Sequence, residues 1–516
     1  MAERLNGMPA SGKWDWETDV AIAGYGFGGA ITAIVAHDAG AQVLLLEKAS
    51  HPGGNSLVSG GGIVLADDAD QAFAYLQATS GGRTDEDVLR AFADGLANME
   101  DFLKQLAQAA GVELSYAERG RGGTYPFPGG DTLWNVKIAP IPGFTGYEWA
   151  VGLRAGARLW KVVSDNVAMR PGITVHVRTP VRRLVTSVDG TVLGLVAEQD
   201  GREIAVRARR AVVLATGGFE NDPELKAQSF ECQPVYAVCT LTNTGDGIRM
   251  AQKAGAALWH MWHFHGGYGF KFPEFPFAFR HAFRGPRKED AKMPWIVVDK
   301  YGRRFMDEYP PAVQDTGARP LEWYDADRQE FPRIPCYLIL DEKGRRAGPL
   351  ADTIMNSDQA QYAWSEDNEA EIARGWLRRA PTLADLAADL GLPAAAVEAT
   401  VARWNAHCAA GNDPDYGRLP GTMMPIDTPP YYGIVAWPIV SNTQGGPRHD
   451  AQQRILDAFG QPIPRLYAVG ELGSLFGHLY LEAGNNAECF SSGRIAGRLA
   501  AAETPWEETL LAGAPR

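Results

Sequence analysis

The sequence is poor in cysteine. Its five thiols, Cys232, Cys239, Cys336, Cys408 and Cys489, form no C-x-x-C pair. That excludes the usual iron–sulfur, c-haem and zinc-ribbon spacings and gives no disulfide framework; a reducing, cytoplasmic location is the expectation. Positive charge is also short: 49 basic residues against 62 acidic ones leave a net charge of −13. Such a balance argues against a nucleic-acid or anionic-membrane partner. The first stretch, MAERLNGMPASGKWDWETD, lacks the apolar core of a signal peptide. The apolar residues 20–36 are interrupted by four glycines, so they read as a buried strand and helix and not as a transmembrane segment. There is no internal repeat, and the 58 glycines fall in discrete motifs instead of a low-complexity tract.

What is present is a chain of 516 residues, enough for two or three folding units. Residues 19–48 read strand, glycine turn, helix, strand, a βαβ unit with parallel strands. Residues 85–110 have helical spacing. Residues 172–215 alternate every two positions, with DG at 189–190 and 200–201, which predicts a β-meander ending in the buried run AVVLATGG. From 271 to 430 prolines and aromatics become frequent. Two helices are expected there, the first capped by Thr382 with Leu383, Leu386 and Leu390 on one face, the second opened by Pro393 with Val397, Val401 and Trp404 inward. Residues 431–516 return to the earlier style. The expected class is α/β: a Rossmann-like domain of parallel sheet plus meander at 1–270 and 431–516, interrupted by an inserted α+β cap domain at 271–430.

GYGFGG fits G-x-G-x-x-G through Gly24, Gly26 and Gly29, with Gly28 inside it. A tight turn, a close approach of pyrophosphate and helix–strand packing each need a glycine, and the helix N-terminus favours phosphate. Glu47 ends the second strand, where an acid bonds ribose hydroxyls. A second glycine-rich loop follows at once, with Gly53, Gly54, Asn55, Ser56 and Gly60, Gly61, Gly62. A nicotinamide enzyme has no need of it. A flavin, approached by backbone from several sides, does.

These motifs, with VVLATGGF, TGDGIRMAQKAGA, VVDKYGRRFMDE, GNDPDYGR and LYAVGE…GNNAECFSSGRIAG, resemble the FAD-dependent fumarate reductase/succinate dehydrogenase flavoprotein superfamily, which includes 3-ketosteroid dehydrogenases. The resemblance spans most of the chain. It implies an FAD domain interrupted by a catalytic cap, with cofactor contacts from Gly24, Gly26, Gly28, Gly29, Glu47, Lys48, Gly54, Asn55, Ser56, Gly60, Gly61, Gly62, Ala215, Thr216, Gly217, Asn243, Asp246, Gly470, Glu471, Asn485 and Asn486. Some relatives bind FAD covalently through a histidine in the loop before the second glycine run. Asn55 occupies that place here and His51 lies four residues early, so non-covalent FAD is expected.

Carbon–carbon desaturation needs a carbonyl activator, a proton-transfer group and a flavin. Dicarboxylate enzymes of the superfamily carry arginine where this chain has Leu481, and again where it has Gln314 or, without a gap, Ala312. An anionic substrate would have to find Arg448, Arg304 or Arg280 instead. The motif GH-x-Y-x-x-x-G, through Gly477, His478, Tyr480 and Gly484, is similar to that of the ketosteroid Δ1-dehydrogenases. There the tyrosine hydroxyl and glycine N–H hold the ketone oxygen; the alternative is a packed tyrosine with its hydroxyl bonded. The family's proton-abstracting tyrosine falls on Ala312, which leaves Tyr309, Tyr125, Tyr268 and Glu482 as candidates. His260, His263 and His265 are close in sequence but lack a completing thiolate or acid, and no metal is expected. The aromatics of FKFPEFPFAFRHAF suit a flat apolar ligand or, equally, a cap core. The expected activity is FAD-dependent α,β-dehydrogenation of an apolar cyclic ketone such as a 3-ketosteroid, or the reverse reduction, with an external electron acceptor or donor. The rival is reduction of an unsaturated carboxylate of fumarate or urocanate type. A flavin electron carrier is a non-enzymatic alternative.

Overall fold

The computed structural model describes residues 5–116, 123–282, 290–310, 318–357, 362–481 and 483–506. The chain divides into two compact units. The first comprises Met1–Leu225, Thr242–His263 and Asn442–Arg516, the second Lys226–Leu241 and Phe264–Ser441.

The first unit is organised by strands β1 (Trp16–Ala23), β2 (Val43–Leu46), β3 (Ile173–His176), β4 (Val181–Thr186), β5 (Val192–Gln199), β6 (Arg202–Leu214), β7 (Arg454–Leu456) and β8 (Pro462–Ala468). Its helices include α1 (Phe27–Asp38), α2 (Glu86–Ala97) and α3 (Gly484–Ala502). The sheet runs β7-β8-β6-β1-β2-β3. The pairs among β8, β6, β1, β2 and β3 are parallel. Buried apolar runs make these strands, because a parallel sheet is covered on both faces: Val20 to Ile22 and Val212 to Leu214 are fully buried.

The meander is β4–β5–β6, with β4 and β6 both antiparallel to β5. Asp200 and Gly201 make its tight turn with φ of 50° and 74°, the twist that a two-residue hairpin favours. The expected meander began too early. The segment Ile173–His176 is not part of it but the edge of the parallel sheet, paired with β2. Long β6 serves both arrangements: its first half pairs with β5 and its second half with β8.

The second unit is built on a mixed sheet in the order Trp295–Val298, Cys336–Asp341, Tyr431–Thr443, Phe264–Lys271, Ala278–His281, Ala351–Asp352. Helices Leu383–Leu390 and Ala394–Ala410 cover it with Leu386, Val397, Val401 and Trp404, which pack on Ile296, Val298 and Ile339. Thr382 caps the first helix by accepting from Asp385 N–H. Sequence placed the cap at 271–430, whereas this unit starts at Phe264, takes in Lys226–Leu241 and runs to Ser441. The strand Tyr431–Thr443 pairs with Cys336–Asp341 in register, so residues 431–441 belong to this sheet. A buried apolar strand reads alike in either unit.

Phe270, Phe272, Phe277 and Phe279 are buried and pack against one another, Trp364 and Trp376; Phe272 and Trp376 stack at 4.1 Å. Aromatic edges and faces already satisfied in this way form core, not a ligand wall. No helix among the described residues is long and apolar enough to cross a membrane.

Candidate active site

A cleft in the first unit lies where β1, β2, β6 and β8 end. Gly24 turns out of β1 with φ of 105°, and a Cβ there would lie 2.3 Å from the Ala215 carbonyl oxygen. Phe27 N–H at the start of α1 donates to Ser56 Oγ at 2.9 Å, tying the two glycine loops together. Glu47 is buried; its carboxylate accepts from Tyr25 N–H at 3.0 Å and Ala49 N–H at 2.7 Å. Burial raises its pKa, and the two amides oppose that rise. Lys48 Nζ donates to Thr244 Oγ1 and Asp246 Oδ2, each at 2.6 Å.

The expected residues Gly24, Gly26, Gly28, Glu47, Lys48, Gly54, Asn55, Ser56, Ala215, Thr216, Gly217, Asn243, Asp246, Gly470 and Glu471 line this cleft. Gly29, Gly60, Gly61, Gly62, Asn485 and Asn486 do not. A Cβ on Gly29 would lie 2.0 Å from Gly24 O, so that glycine packs α1 on the turn. Asn486 Nδ2 donates to Gly62 O at 2.9 Å, which fastens α3 to the second glycine loop. Sequence reasoning missed Tyr25, Phe27, Val181, Thr242, Val469 and Cys489, which also line the cleft. Tyr25, Phe27, Val469 and Cys489 stand inside the quoted motifs, between the glycines and acids that drew the reading, and Val181 and Thr242 lie outside any of them.

The cleft fits a dinucleotide. A glycine turn leads into a helix N-terminus, an acid closes the neighbouring strand, and the buried hydroxyl of Thr216 has no partner among the described residues. His51 does not line the cleft but stacks on Trp149 at 4.3 Å.

The loop 474–483 precedes α3 in the same unit. Tyr480 is 5% exposed, meets Phe476 edge to face at 5.3 Å, and its hydroxyl accepts from Asn485 N–H at 3.4 Å. Gly484 N–H does not point away as a second donor, because it donates to Leu481 O at 2.7 Å. A Cβ on Gly484 would lie 2.5 Å from Phe476 Cζ, so the glycine admits the phenylalanine. Glu482, Ala312 and Gln314 lie outside the described residues.

The start of this loop is held by His260, whose ring nitrogens lie 2.8 Å from Ser474 O and 2.9 Å from Arg83 O, and by His263, 2.6 Å from Phe476 O. His265 belongs to the second unit. Glu488 on α3 completes the anchoring. It accepts from Ser474 Oγ at 2.8 Å and Leu475 N–H at 2.7 Å, and burial pushes its pKa up to about 8.

Tyr125, in the first unit, is half-buried; its N–H donates to the Tyr75 hydroxyl at 2.9 Å. Tyr268 and Tyr309 are buried in the second unit. Burial pushes the Tyr268 phenol well above its ordinary range, so it stays a neutral hydroxyl. Of the three arginines open to an anionic substrate, Arg304 is locked bidentately on Glu308 at 2.8 Å and reaches Asp413 at 3.1 Å, while Arg448 pairs with Asp85 at 2.6 Å. Arg280 sits on the strand Ala278–His281.

Residues 19–487 match the family model described as "FAD binding domain". The chain belongs to this family. It is 29% identical to a 4-oxocyclohexanecarboxylate 2-dehydrogenase of Sinomonas cyclohexanicum, over 91% of this chain and 89% of that protein. It is 27% identical to a 3-oxosteroid 1-dehydrogenase of Mycobacterium tuberculosis, over 90% of this chain and 94% of that protein. Its fold is similar to the crystal structure of the 3-ketosteroid delta1-dehydrogenase of Sterolibacterium denitrificans, with a TM-score of 0.79 at 22% identity, covering 94% of this chain and 99% of that one. The protein is an FAD-dependent oxidoreductase.

Proposed function

We propose that the protein dehydrogenates a cyclic ketone at its α,β carbons, a 3-ketosteroid being one such substrate, or catalyses the reverse reduction. The observation that carries this reading is the loop of Tyr480: a buried phenol followed by Leu481, where the dicarboxylate enzymes resemble one another in carrying arginine. Asn485 N–H donates to the Tyr480 oxygen. That bond polarises the O–H toward donation, and a hydroxyl donated to a ketone oxygen stabilises the enolate and acidifies the α-carbon. Bound FAD supplies the hydride acceptor, or the donor in the reverse direction. Gly484 joins the ketone contact only if its turn to Leu481 opens. Of the candidates for proton transfer that the sequence offers, Tyr309, Tyr125, Tyr268 and Glu482, Tyr125 shares the first unit with Tyr480 and is described there. FAD is held without a covalent bond, a reading that the stacking of His51 on Trp149 supports.

The reading as an unsaturated-carboxylate reductase is weaker because Arg304 and Arg448 are engaged by acids. Tyr480→Phe tests the proposal: flavin reduction by ketone slows by roughly 10²-fold or more, the scale for one oxyanion donor, with FAD content unchanged. Near-normal reduction removes Tyr480 from the mechanism.

A further inference from the structure

Behind the cleft wall lies a carboxyl that the reaction above does not use. Glu220 follows the glycine pair after β6 and is 1% exposed; Glu471 follows β8 and is 8% exposed. Their partners are all neutral. Asn55 Nδ2 donates to Glu220 Oε1 at 3.2 Å. Asn243 Nδ2 lies 3.3 Å from Glu220 Oε1 and 3.3 Å from Glu471 Oε2. Asn442 Nδ2 and Thr443 N–H each donate to Glu471 Oε1 at 3.1 Å. Glu220 Oε2 is buried with no donor among the described residues.

The two acids share one small volume. A Cβ built on Gly218 would lie 3.0 Å from Glu220 Oε2 and 3.0 Å from Glu471 Oε1, and the one Asn243 amide reaches both carboxylates. No lysine, arginine or histidine among the described residues bonds or pairs with either acid. Two like charges this close in a dry wall repel strongly, and a single proton between them removes the repulsion and gives Glu220 Oε2 its donor.

We propose that Glu220 and Glu471 hold one proton between them, and that this shared proton fastens FAD in the cleft. With it the wall carries one negative charge; without it, two, facing a ligand that is itself anionic. Glu471 lines the cleft and Glu220 does not, so Glu220 is a positioning residue that acts through Glu471. Other ionisable groups around the cleft do not replace the missing cation. Lys48 is bonded to Asp246, Glu47 is a further acid, and Cys489 and Glu488 on α3 carry no positive charge. Burial raises both members of the pair, Glu471 further because the Glu220 charge also faces it. Glu471 lines the cleft, so bound FAD would desolvate it further and draw the proton tighter.

The test uses the holoenzyme and its Glu220→Gln variant. Released FAD is measured by fluorescence across a pH series, and protonated carboxyls by their infrared carbonyl stretch. The wild-type Kd for FAD is expected to rise by up to about tenfold per pH unit across the interval in which the pair loses its proton. In Glu220→Gln the lone Glu471 ionises, one carboxyl stretch disappears from the neutral-pH spectrum, and the Kd no longer depends on pH in that interval. An unchanged infrared spectrum, or the same pH dependence in the variant, overturns the proposal. If the variant does not fold, the wild type alone decides. The stretch and the bound FAD must be lost at the same pH, and loss at separate pH values contradicts a shared proton that holds the cofactor.

Discussion

Each unit of the molecule buries two or more carboxylates, and each neutralises them differently. In the second unit Glu308 and Asp413 meet Arg304, and Glu308 also receives Arg418 at 3.1 Å. Burial alone would raise both acids, but the guanidiniums outweigh it and hold them low. In the first unit Glu220, Glu471 and Glu488 have only amides and hydroxyls for partners, and burial holds them high. A guanidinium cluster is a rigid structural knot. An acid that keeps its proton can change charge as pH rises, and those acids stand at the cofactor cleft and under the loop of Tyr480.

Breaking the knot gives the largest effect. Arg418→Ala leaves Glu308 short of a cation in a fully buried position and is expected to cost about 3–5 kcal/mol, read from denaturant unfolding. A loss below about 1 kcal/mol would mean that the cluster does not carry its unit.

The pH response separates the two kinds of acid. The lowered pKa values of Glu308 and Asp413 give stability that is present above their unfolded values, 4.5 and 3.8, and lost as pH falls through the folded values. Glu488 has the opposite sign. Its pKa rises from 4.5 to about 8, so its contribution is full below pH 4.5 and lost as pH rises to about 8. Melting temperatures of Glu488→Gln are therefore expected to flatten between those limits while the acid-side loss remains. A variant that keeps the wild-type slope there would remove Glu488 from the comparison.

The smallest effect belongs to the one cation described at the cleft. Lys48 and Asp246 are about a quarter and a third exposed, so solvent screens them, and Lys48→Met is expected to cost less than about 1 kcal/mol. A larger loss would show that charge pairing, not protonation, governs the first unit as well.

How much of this was legible in sequence follows from range. The βαβ unit, the glycine turn, Glu47 and the Thr382 cap are local signals, and the structure has each of them. Glu220 stands one letter beyond the ATGGF motif, but its meaning comes from Glu471, 251 positions later, and no local pattern joins them. Sequence puts residues 431–441 in the first domain, not the second, because burial sets the letters of the strand Tyr431–Thr443 while pairing sets its place. Gly484 was expected to hold a ketone oxygen through its N–H, which turns instead to Leu481 O. The nearby Phe476 ring explains the missing Cβ, and only coordinates reveal it.

The central claim is ketone α,β-chemistry, and anaerobic mixing tests it most directly. The oxidised holoenzyme is mixed with saturated cyclic ketones, and the reduced holoenzyme with unsaturated acids, while flavin absorbance is followed. Bleaching by a saturated cyclic ketone is the expected result. Reoxidation by unsaturated carboxylates alone, with no bleaching by any ketone, contradicts it.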